Sequence, residues 1–277
     1  MSNPNNDGGG TAHTMISVFD KVYRTVASPL SERWLGGFHA GLVIKGLYLQ
    51  WKVAAFLRQG GRRVMDAGCG PEAQLTAMLA GRYPTCSFVG WDLHVDREVR
   101  DALPRTNVSV IESDLARLAS IGEYDLVYSI DVLEHIDDFE GTLDRLVSAL
   151  RSGGLLFIHV PSLEQRFWFG SGEEEAPDRF RAHRSGDDHV HEGFSLSQLT
   201  EALERRSVTV LDARPTFGRW VGLLKETFSY GEGRRVSGIG LLLLPAVLLT
   251  VALEMLFVPK RGNGSMIVGM KRERASA

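Results

Sequence analysis

The stretch that decides the fold is RVMDAGCG, residues 63–70, a short apolar run that ends in two closely spaced glycines. A segment rich in Leu and Ala follows it, around Leu75 and Leu79. This order predicts a strand, a glycine turn and a helix. Glycine allows a sharp turn and lets a ligand approach the backbone closely. The sequence therefore predicts a ligand site at the end of this first strand.

Further apolar runs predict more strands, and helical patterns separate several of them. The runs are Ser87–Trp91, Val108–Ile111, Leu126–Ile130, Leu155–Val160 and Val208–Leu211. Asp138 can cap a helix that begins near Phe139, and Ser195 with Gln198 forms a capping-box pattern before another helix. Strands that alternate with helices predict a parallel sheet covered on both faces. In such a sheet, ligands bind at the carboxyl ends of the strands.

The composition bounds the class of protein. The chain has 277 residues, with 31 Lys+Arg against 34 Asp+Glu, and a formal net charge of −3. This balance argues against a dedicated nucleic-acid binder, and 44% hydrophobic residues exclude disorder for the bulk of the chain. The two cysteines, Cys69 and Cys86, and the absence of an apolar N-terminal segment predict a reduced, cytoplasmic protein.

Three regions are expected along the chain. Residues 1–13 combine Asn, Gly and Pro with almost nothing to bury, which predicts a disordered arm. Residues 14–61 form an N-terminal cap, with a helix predicted between Ser31 and Leu57. Residues 62–277 form one α/β domain.

Three acidic residues stand at successive predicted strand ends. Asp66 precedes the glycine turn, Asp92 can accept both hydroxyls of a ribose, and Asp114 can accept from an adenine amino group. Residues 68–73 also satisfy the dinucleotide pattern G-x-G-x-x-A, so a nicotinamide cofactor competes as an interpretation. The Asp66 carboxylate disfavours it, because this charge would repel a pyrophosphate and attract an amino group or a sulfonium.

A series of short motifs then follows in a fixed order. They are Asp66–Gly70, Asp92, Ser113-Asp114, Tyr124–Ser129, Val132–His135 and Leu150–Gly154. They resemble the motifs of class I S-adenosylmethionine-dependent methyltransferases, and DLVYSIDVLEHIDD at residues 125–138 resembles the type 11 branch. The likeness covers about Arg63 to Val160, and more loosely extends to Met270. Glu72 stands where the family usually has a third glycine, so the loop beside the methionine moiety is expected to differ.

The resemblance implies a fold and a cofactor. The fold is α/β, a Rossmann-like seven-stranded, mostly parallel sheet with helices on both faces and an antiparallel last strand, which Ser265–Met270 would supply. The cofactor is S-adenosylmethionine. The implied cofactor-binding residues are Asp66, Ala67, Gly68, Cys69, Gly70, Asp92, Leu93, Ser113, Asp114, Leu115 and Ile130.

Histidines are the candidates for catalysis. His135 follows the fourth predicted strand, and its usual pKa near 6.5 suits proton removal at neutral pH, although packing beside the cofactor is the competing interpretation. His189 and His191 are further candidates. Asp131, Glu134, His135 and His191 could together enclose a divalent metal, because some methyltransferases with a similar motif hold vicinal hydroxyls in this way.

Two segments lie outside the regular pattern. Residues 161–194 are polar and irregular and fall where the family inserts its substrate cover, so we expect Phe167, Trp168, His189 and His191 near the acceptor. Residues 239–258 are almost wholly apolar, with Pro245 among them, and approach the length of a membrane span. If strands flank this segment in one sheet, a single crossing is impossible. A membrane hairpin, an interfacial helix, or burial in the fold or in a homodimer remain.

The sequence thus predicts a methyltransferase that acts on an oxygen or nitrogen of a small-molecule, glycan or lipid-linked acceptor. Its expected location is the cytoplasm, at the inner face of the membrane if residues 239–258 dock there. Two alternatives remain open at this stage. One is a non-catalytic, membrane-associated binding protein with the same fold, and the other is an NAD-dependent oxidoreductase.

Overall fold

The computed structural model describes residues 40–102, 107–165, 190–233 and 239–273. The strands are β1 (Arg63–Ala67), β2 (Ser87–Asp92), β3 (Val108–Glu112), β4 (Tyr124–Ile130), β5 (Leu150–Pro161), β6 (Val208–Thr216) and β7 (Gly264–Lys271). The α-helices are α1 (Ala40–Leu57), α2 (Gln74–Arg82), α3 (Arg97–Ala102), α4 (Phe139–Ala149), α5 (Leu196–Arg205), α6 (Arg219–Gly233) and α7 (Ile239–Leu256). Short 3-10 helices cover Leu115–Arg117 and Leu133–His135.

All seven strands lie in one sheet, in the order β3-β2-β1-β4-β5-β7-β6. The pairs among β1 to β5 are parallel, whereas β7 is antiparallel to both of its neighbours, β5 and β6. The predicted fold class is confirmed, including the antiparallel last strand. The strand order reverses between β1 and β4, so the predicted ligand edge is where these two strands end.

The two faces of the sheet bury separate apolar cores, because successive side chains of a strand point to opposite faces. Val64 of β1 and Leu126 of β4 pack with helices α1, α2 and α7. Met65 and Val127, one residue further along each strand, pack with α4 and α5 on the opposite face. Helices therefore cover both faces, as the sequence predicts.

The helix-start signals act as predicted. The Asp138 carboxylate accepts from the backbone N–H of Gly141 and begins α4. Ser195 and Gln198 form a complete capping box at the start of α5. The helix predicted between Ser31 and Leu57 is present as α1, and its first predicted residues lie outside the described part of the chain.

Helix α7 lies between β6 and β7, which belong to one sheet, so the topological exclusion of a single membrane crossing is confirmed. Val247, Val251 and Met255 face the core, which confirms burial of one face in the fold. The opposite face is exposed and apolar, and Leu256 remains 64% accessible to solvent. Within residues 40–102, 107–165, 190–233 and 239–273, no helix has the length and apolarity to span a bilayer.

Candidate functional site

The glycine turn after β1 is held against the end of β2. Gly68 and Gly70 have φ angles of +87° and +72°, which favour glycine. The Gly68 N–H donates to the Trp91 carbonyl at 2.7 Å. A Cβ at Gly68 would lie 2.1 Å from Cγ2 of Val132, so the turn also packs tightly on the segment that follows β4. A Cβ at Gly70 would meet no atom within 4 Å, so the second glycine faces open space.

Asp92 lies at the end of β2 and borders this open space. Its Oδ2 accepts from the Gly70 N–H at 2.7 Å, and its Oδ1 accepts from the His94 N–H at 3.1 Å. Each carboxylate oxygen can accept more than one hydrogen bond, so both retain capacity for a ligand hydroxyl. The two backbone donors fix the carboxylate in place.

Asp114 follows β3, along the same edge of the sheet. Its Oδ1 accepts from the Ala116 N–H at 2.8 Å and caps a 3-10 helix, while the side chain stays exposed. Ser113 is tied to the neighbouring strand end by a 2.7 Å bond from its N–H to the Asp92 carbonyl. Leu93 is exposed and Leu115 is buried, so the predicted cofactor residues differ widely in accessibility.

Asp66 lies beneath the turn, 4% exposed. Its Oδ2 accepts from the Thr76 hydroxyl at 2.6 Å and from the Tyr128 hydroxyl at 2.8 Å, which joins β1 to α2 and β4. Burial raises the pKa of Asp66 to about 7, against the lowering effect of these two hydrogen bonds. Its position makes it a clasp under the turn, not an open anionic contact.

The residues present fit S-adenosylmethionine. An open space lies beside Gly70, and Asp92 presents fixed acceptors at its border, as a ribose with two hydroxyls requires. Asp92 places a carboxylate, not a cation, at the border of the turn. This charge suits a sulfonium and an amino group better than a pyrophosphate.

The predicted catalytic histidines take different positions. His135 lies exposed on the 3-10 helix after β4. His191 packs against the rings of Phe194 and Phe139, with centroids 5.3 and 6.3 Å away, and its Nε2 is buried. His189, and with it Phe167 and Trp168, falls outside the described residues.

The metal interpretation finds no assembled site. Among the residues described, no group of three or more His, Cys, Asp or Glu side chains is arranged to hold a metal ion. Asp131 instead contacts a lysine and a buried histidine, and His135 is exposed. The backbone carbonyl of Glu134 accepts from the His191 N–H. The four predicted ligands therefore do not converge.

Sequence reasoning missed a polar group at the carboxyl ends of β4, β5 and β6, which we call the strand-end cluster: Lys45, Asp131, His159 and Thr216. Asp131 directly follows β4 and has a φ of +53°, an unusual value for a residue other than glycine. Its carboxylate forms an ion pair with Lys45 and bonds Nδ1 of His159 at 3.0 Å. Nε2 of His159 bonds the Thr216 hydroxyl at 2.9 Å.

The His159 ring is neutral in this setting. Burial lowers its pKa well below the usual range, and the charges of Lys45 and Lys225 add to that effect. Because a carboxylate can only accept, we assign the ring proton to Nδ1, which donates to Asp131. Nε2 then accepts from the Thr216 hydroxyl. His159, held in turn by Thr216, keeps the Asp131 carboxylate in one orientation. This carboxylate has 30% of its surface exposed.

Phe217 is a buried ring next to this cluster, with two lysine side chains near it. Nζ of Lys45 and Nζ of Lys225 lie 6.0 and 5.4 Å from its ring centroid, and the His159 ring lies 5.7 Å away. Burial lowers the pKa of Lys45 to about 7; repulsion from Lys225 adds to the shift, and Glu134 opposes it. The sequence signal for this group is a polar residue, His159, inside the apolar run of β5.

The cluster adjoins the glycine turn through the chain itself. Val132, next to Asp131, is the residue on which Gly68 packs. His159 pairs with Ile130 across β4 and β5, and Ile130 is half-buried at the same strand ends. The described edge therefore has two parts: a glycine turn bordered by Asp92, and a charged cluster beside it.

Comparison with known proteins adds a family. A family model described as a methyltransferase domain matches residues 46–212, more than half of the chain. Trans-aconitate 2-methyltransferase of Variovorax paradoxus (strain S110) is 37% identical over 102 residues, which are 36% of this chain and 38% of that protein. The enzyme of the same name from Rhodopseudomonas palustris (strain BisB5) is 34% identical over 102 residues, 36% of this chain and 39% of that protein. The matched region thus spans about two fifths of the length of these relatives.

A solved structure shares the fold at low identity. It is Burkholderia thailandensis 1,6-didemethyltoxoflavin-N1-methyltransferase with bound 1,6-didemethyltoxoflavin and S-adenosylhomocysteine. The TM-score is 0.53 at 15% identity, and the match covers 99% of this chain and 94% of that one. This likeness supports the architecture, whereas the type 11 branch stays a prediction.

Proposed function

This chain belongs to the methyltransferase domain family, and from that premise we propose that it transfers a methyl group from S-adenosylmethionine to an oxygen or nitrogen of a small-molecule acceptor. The observation that carries the proposal is the pairing of Gly70 with Asp92, which borders open space with fixed carboxylate oxygens. It joins the ends of β1 and β2, beside the reversal of strand order between β1 and β4. Fold alone does not establish an activity, so this site is the main support.

Each part of the cofactor has a proposed place. The backbone of Gly68 and Gly70 takes the methionine portion, with Ala67 and Cys69 in the same turn and Asp66 clasping it from below. Asp92 and Leu93 take the ribose. Ser113, Asp114, Leu115 and Ile130 border the adenine and the methyl-transfer position.

The cofactor, when bound, supplies a methyl carbon activated by positive sulfur; the C–S bond breaks as the bond to the acceptor atom forms. The protein then has to position the acceptor and exclude water. The strand-end cluster suits this positioning role, because Asp131 is fixed by two partners and adjoins the turn. His135 stays our candidate for removing an acceptor proton, and His189 and His191 stay secondary candidates.

The names of similar proteins, which refer to trans-aconitate and 1,6-didemethyltoxoflavin, favour small-molecule acceptors. Glycan and lipid-linked acceptors are the wider alternatives. The test is to incubate the protein with S-adenosylmethionine and a panel of small acids, amines and alcohols, and to quantify S-adenosylhomocysteine and methylated product together. Product in any arm supports the activity. No product in any arm, from a protein that binds the cofactor, favours a non-catalytic binding protein.

We propose, as a second function, that the outer face of α7 docks on an anionic membrane surface. The outer face, as we define it, includes the two residues that follow the helix and consists of Leu248, Leu249, Leu253, Leu256, Phe257 and Val258, all exposed. Exposed Trp220 continues it across a groove of about 620 Å³. Arg219, Lys260 and Arg261 also line the groove, so apolar and cationic groups stand together. That combination matches the acyl and headgroup layers of an anionic bilayer.

Vesicle flotation tests this docking. We expect the protein to float with vesicles of phosphatidylglycerol and phosphatidylcholine, and less with phosphatidylcholine alone. The double variant Leu256→Glu, Phe257→Glu should stay at the bottom of the gradient. Ile121→Glu, which changes an even more exposed apolar residue elsewhere, is the matched control. Flotation that survives the double variant, or is absent from the unmodified protein, overturns the proposal; a doubled mass in solution without flotation favours a homodimer through residues 239–258.

A further inference from the structure

Lys225 is a half-buried cation that the described structure does not neutralise. Its Nζ lies 5.4 Å from the Phe217 ring centroid, and a Cβ at Gly41, near the start of α1, would lie 3.8 Å from its Cε. Across the four described segments, no acidic side chain forms an ion pair with Lys225. An aromatic ring attracts a cation but does not cancel its charge.

Neighbouring charges do not neutralise the positive charge of Lys225. Burial lowers the pKa of Lys225, and Glu226, its chain neighbour, is the acidic residue that opposes the shift. Lys45 adds a second cation near the same ring, and Asp131 pairs with it. A desolvated ammonium without an ionic partner is costly, and a bound anion relieves that cost.

The position of the Lys225 charge indicates a contact with the methyl acceptor. Phe217 also contacts the ring of His159, which holds Asp131. Val132, the residue after Asp131, packs on the glycine turn. An anion held beside Phe217 would therefore anchor a molecule whose remaining atoms reach toward the proposed cofactor site.

We propose that Lys225, assisted by Lys45, binds an anionic group of the methyl acceptor, a carboxylate or a phosphate. The proposal rests on the proposed function, because it assigns the acceptor side of that site. It narrows the acceptor to molecules that carry a carboxylate or a phosphate.

Titration calorimetry with two anionic probes tests the assignment. Trans-aconitate supplies carboxylates and O-phosphoethanolamine supplies a phosphate, and sodium sulfate at equal ionic strength controls for unspecific charge. Each probe is titrated into the full chain with and without saturating S-adenosylhomocysteine. Lys225→Met removes the charge and Lys225→Arg keeps it. The matched control is Lys52→Met. Lys52 lies on the same helix as Lys45, and its substitution breaks an ion pair with Asp212.

At least one probe should bind, and Lys225→Met should weaken it by about tenfold or more, the loss expected for a charge-assisted contact. Lys225→Arg and Lys52→Met should stay within about threefold of the unmodified protein, and all variants should bind S-adenosylhomocysteine alike. If Lys225→Met does not fold, Lys225→Gln takes its place. The assignment is overturned if neither probe binds to the unmodified protein, or if the charge-removing variant binds the probes unchanged. Failure to bind S-adenosylhomocysteine contradicts the proposed function instead.

Discussion

The two halves of the ligand edge are built in different ways. On the side of β1 and β2, the site consists of a glycine turn and Asp92, joined by a hydrogen bond from the Gly70 N–H to the Asp92 carboxylate, 22 positions further along the chain. On the side of β4 to β6, the strand-end cluster gathers side chains from α1, β5 and β6 around Asp131. The first half depends on local backbone geometry, and the second on contacts between distant segments. Substitutions should therefore affect them differently.

The largest effect is expected at Gly68. Gly68→Ala places a Cβ 2.1 Å from Val132 at a φ of +87°, so both steric overlap and backbone strain oppose folding. We expect a loss of about 3 kcal/mol or more in the free energy of unfolding, measured by urea denaturation. Gly122→Ala has a similar φ of +66° with open space around it and should lose only about 1 kcal/mol. Equal losses for the two variants would show that packing on Val132 is unimportant.

An intermediate, pH-dependent effect is expected at Asp66. Its folded pKa of about 7 lies above the usual value of 3.8 for an aspartate, so the unfolded chain loses this proton first and stability falls as pH rises from about 4 to about 7. Asp66→Asn keeps an acceptor for Thr76 and Tyr128 but does not ionise. Relative to the unmodified protein, the variant should gain about 2 kcal/mol between pH 5 and pH 8, measured by urea denaturation at each pH. A difference that is independent of pH would contradict the raised pKa.

The smallest effect on stability is expected at Gly70. Gly70→Ala meets no atom within 4 Å, so strain at a φ of +72° should cost only about 1 kcal/mol. Cofactor binding should suffer more, because the new methyl group occupies the space that we assign to the ligand. Calorimetry should show about tenfold weaker binding of S-adenosylhomocysteine, with Gly122→Ala unchanged. Unaltered affinity would place the ligand elsewhere.

Much of the fold was predictable because each strand contains a short apolar run and the helix caps are local signals. Asp138 and the Ser195–Gln198 pair begin helices as predicted, and the seven strands form the predicted sheet. The glycine turn and Asp92 could be predicted for the same reason, since their spacing is short. Their contact with a cofactor stays a prediction.

The strand-end cluster could not be predicted, because its members are separated by up to 171 positions in the chain. Nothing near Lys45 in the sequence distinguishes it from a surface lysine. The metal interpretation finds no support among the described residues for a related reason: acids and histidines that are adjacent in the sequence do not converge there, because Asp131 turns toward His159 and His135 lies exposed. The burial of Asp66 could not be predicted either, because its partners Thr76 and Tyr128 come together only in the packed fold.

The most direct test of the central claim is calorimetric titration of the full chain with S-adenosylhomocysteine, with NAD as the control ligand and with and without magnesium. We expect micromolar binding, about −8 kcal/mol, of S-adenosylhomocysteine alone. Asp92→Ala should weaken it by about 1.5–3 kcal/mol, the range for hydrogen bonds to a charged group, whereas Asp144→Ala on α4 should leave it unchanged. Absence of binding, a response to NAD, or an Asp92→Ala variant with full affinity would contradict the claim.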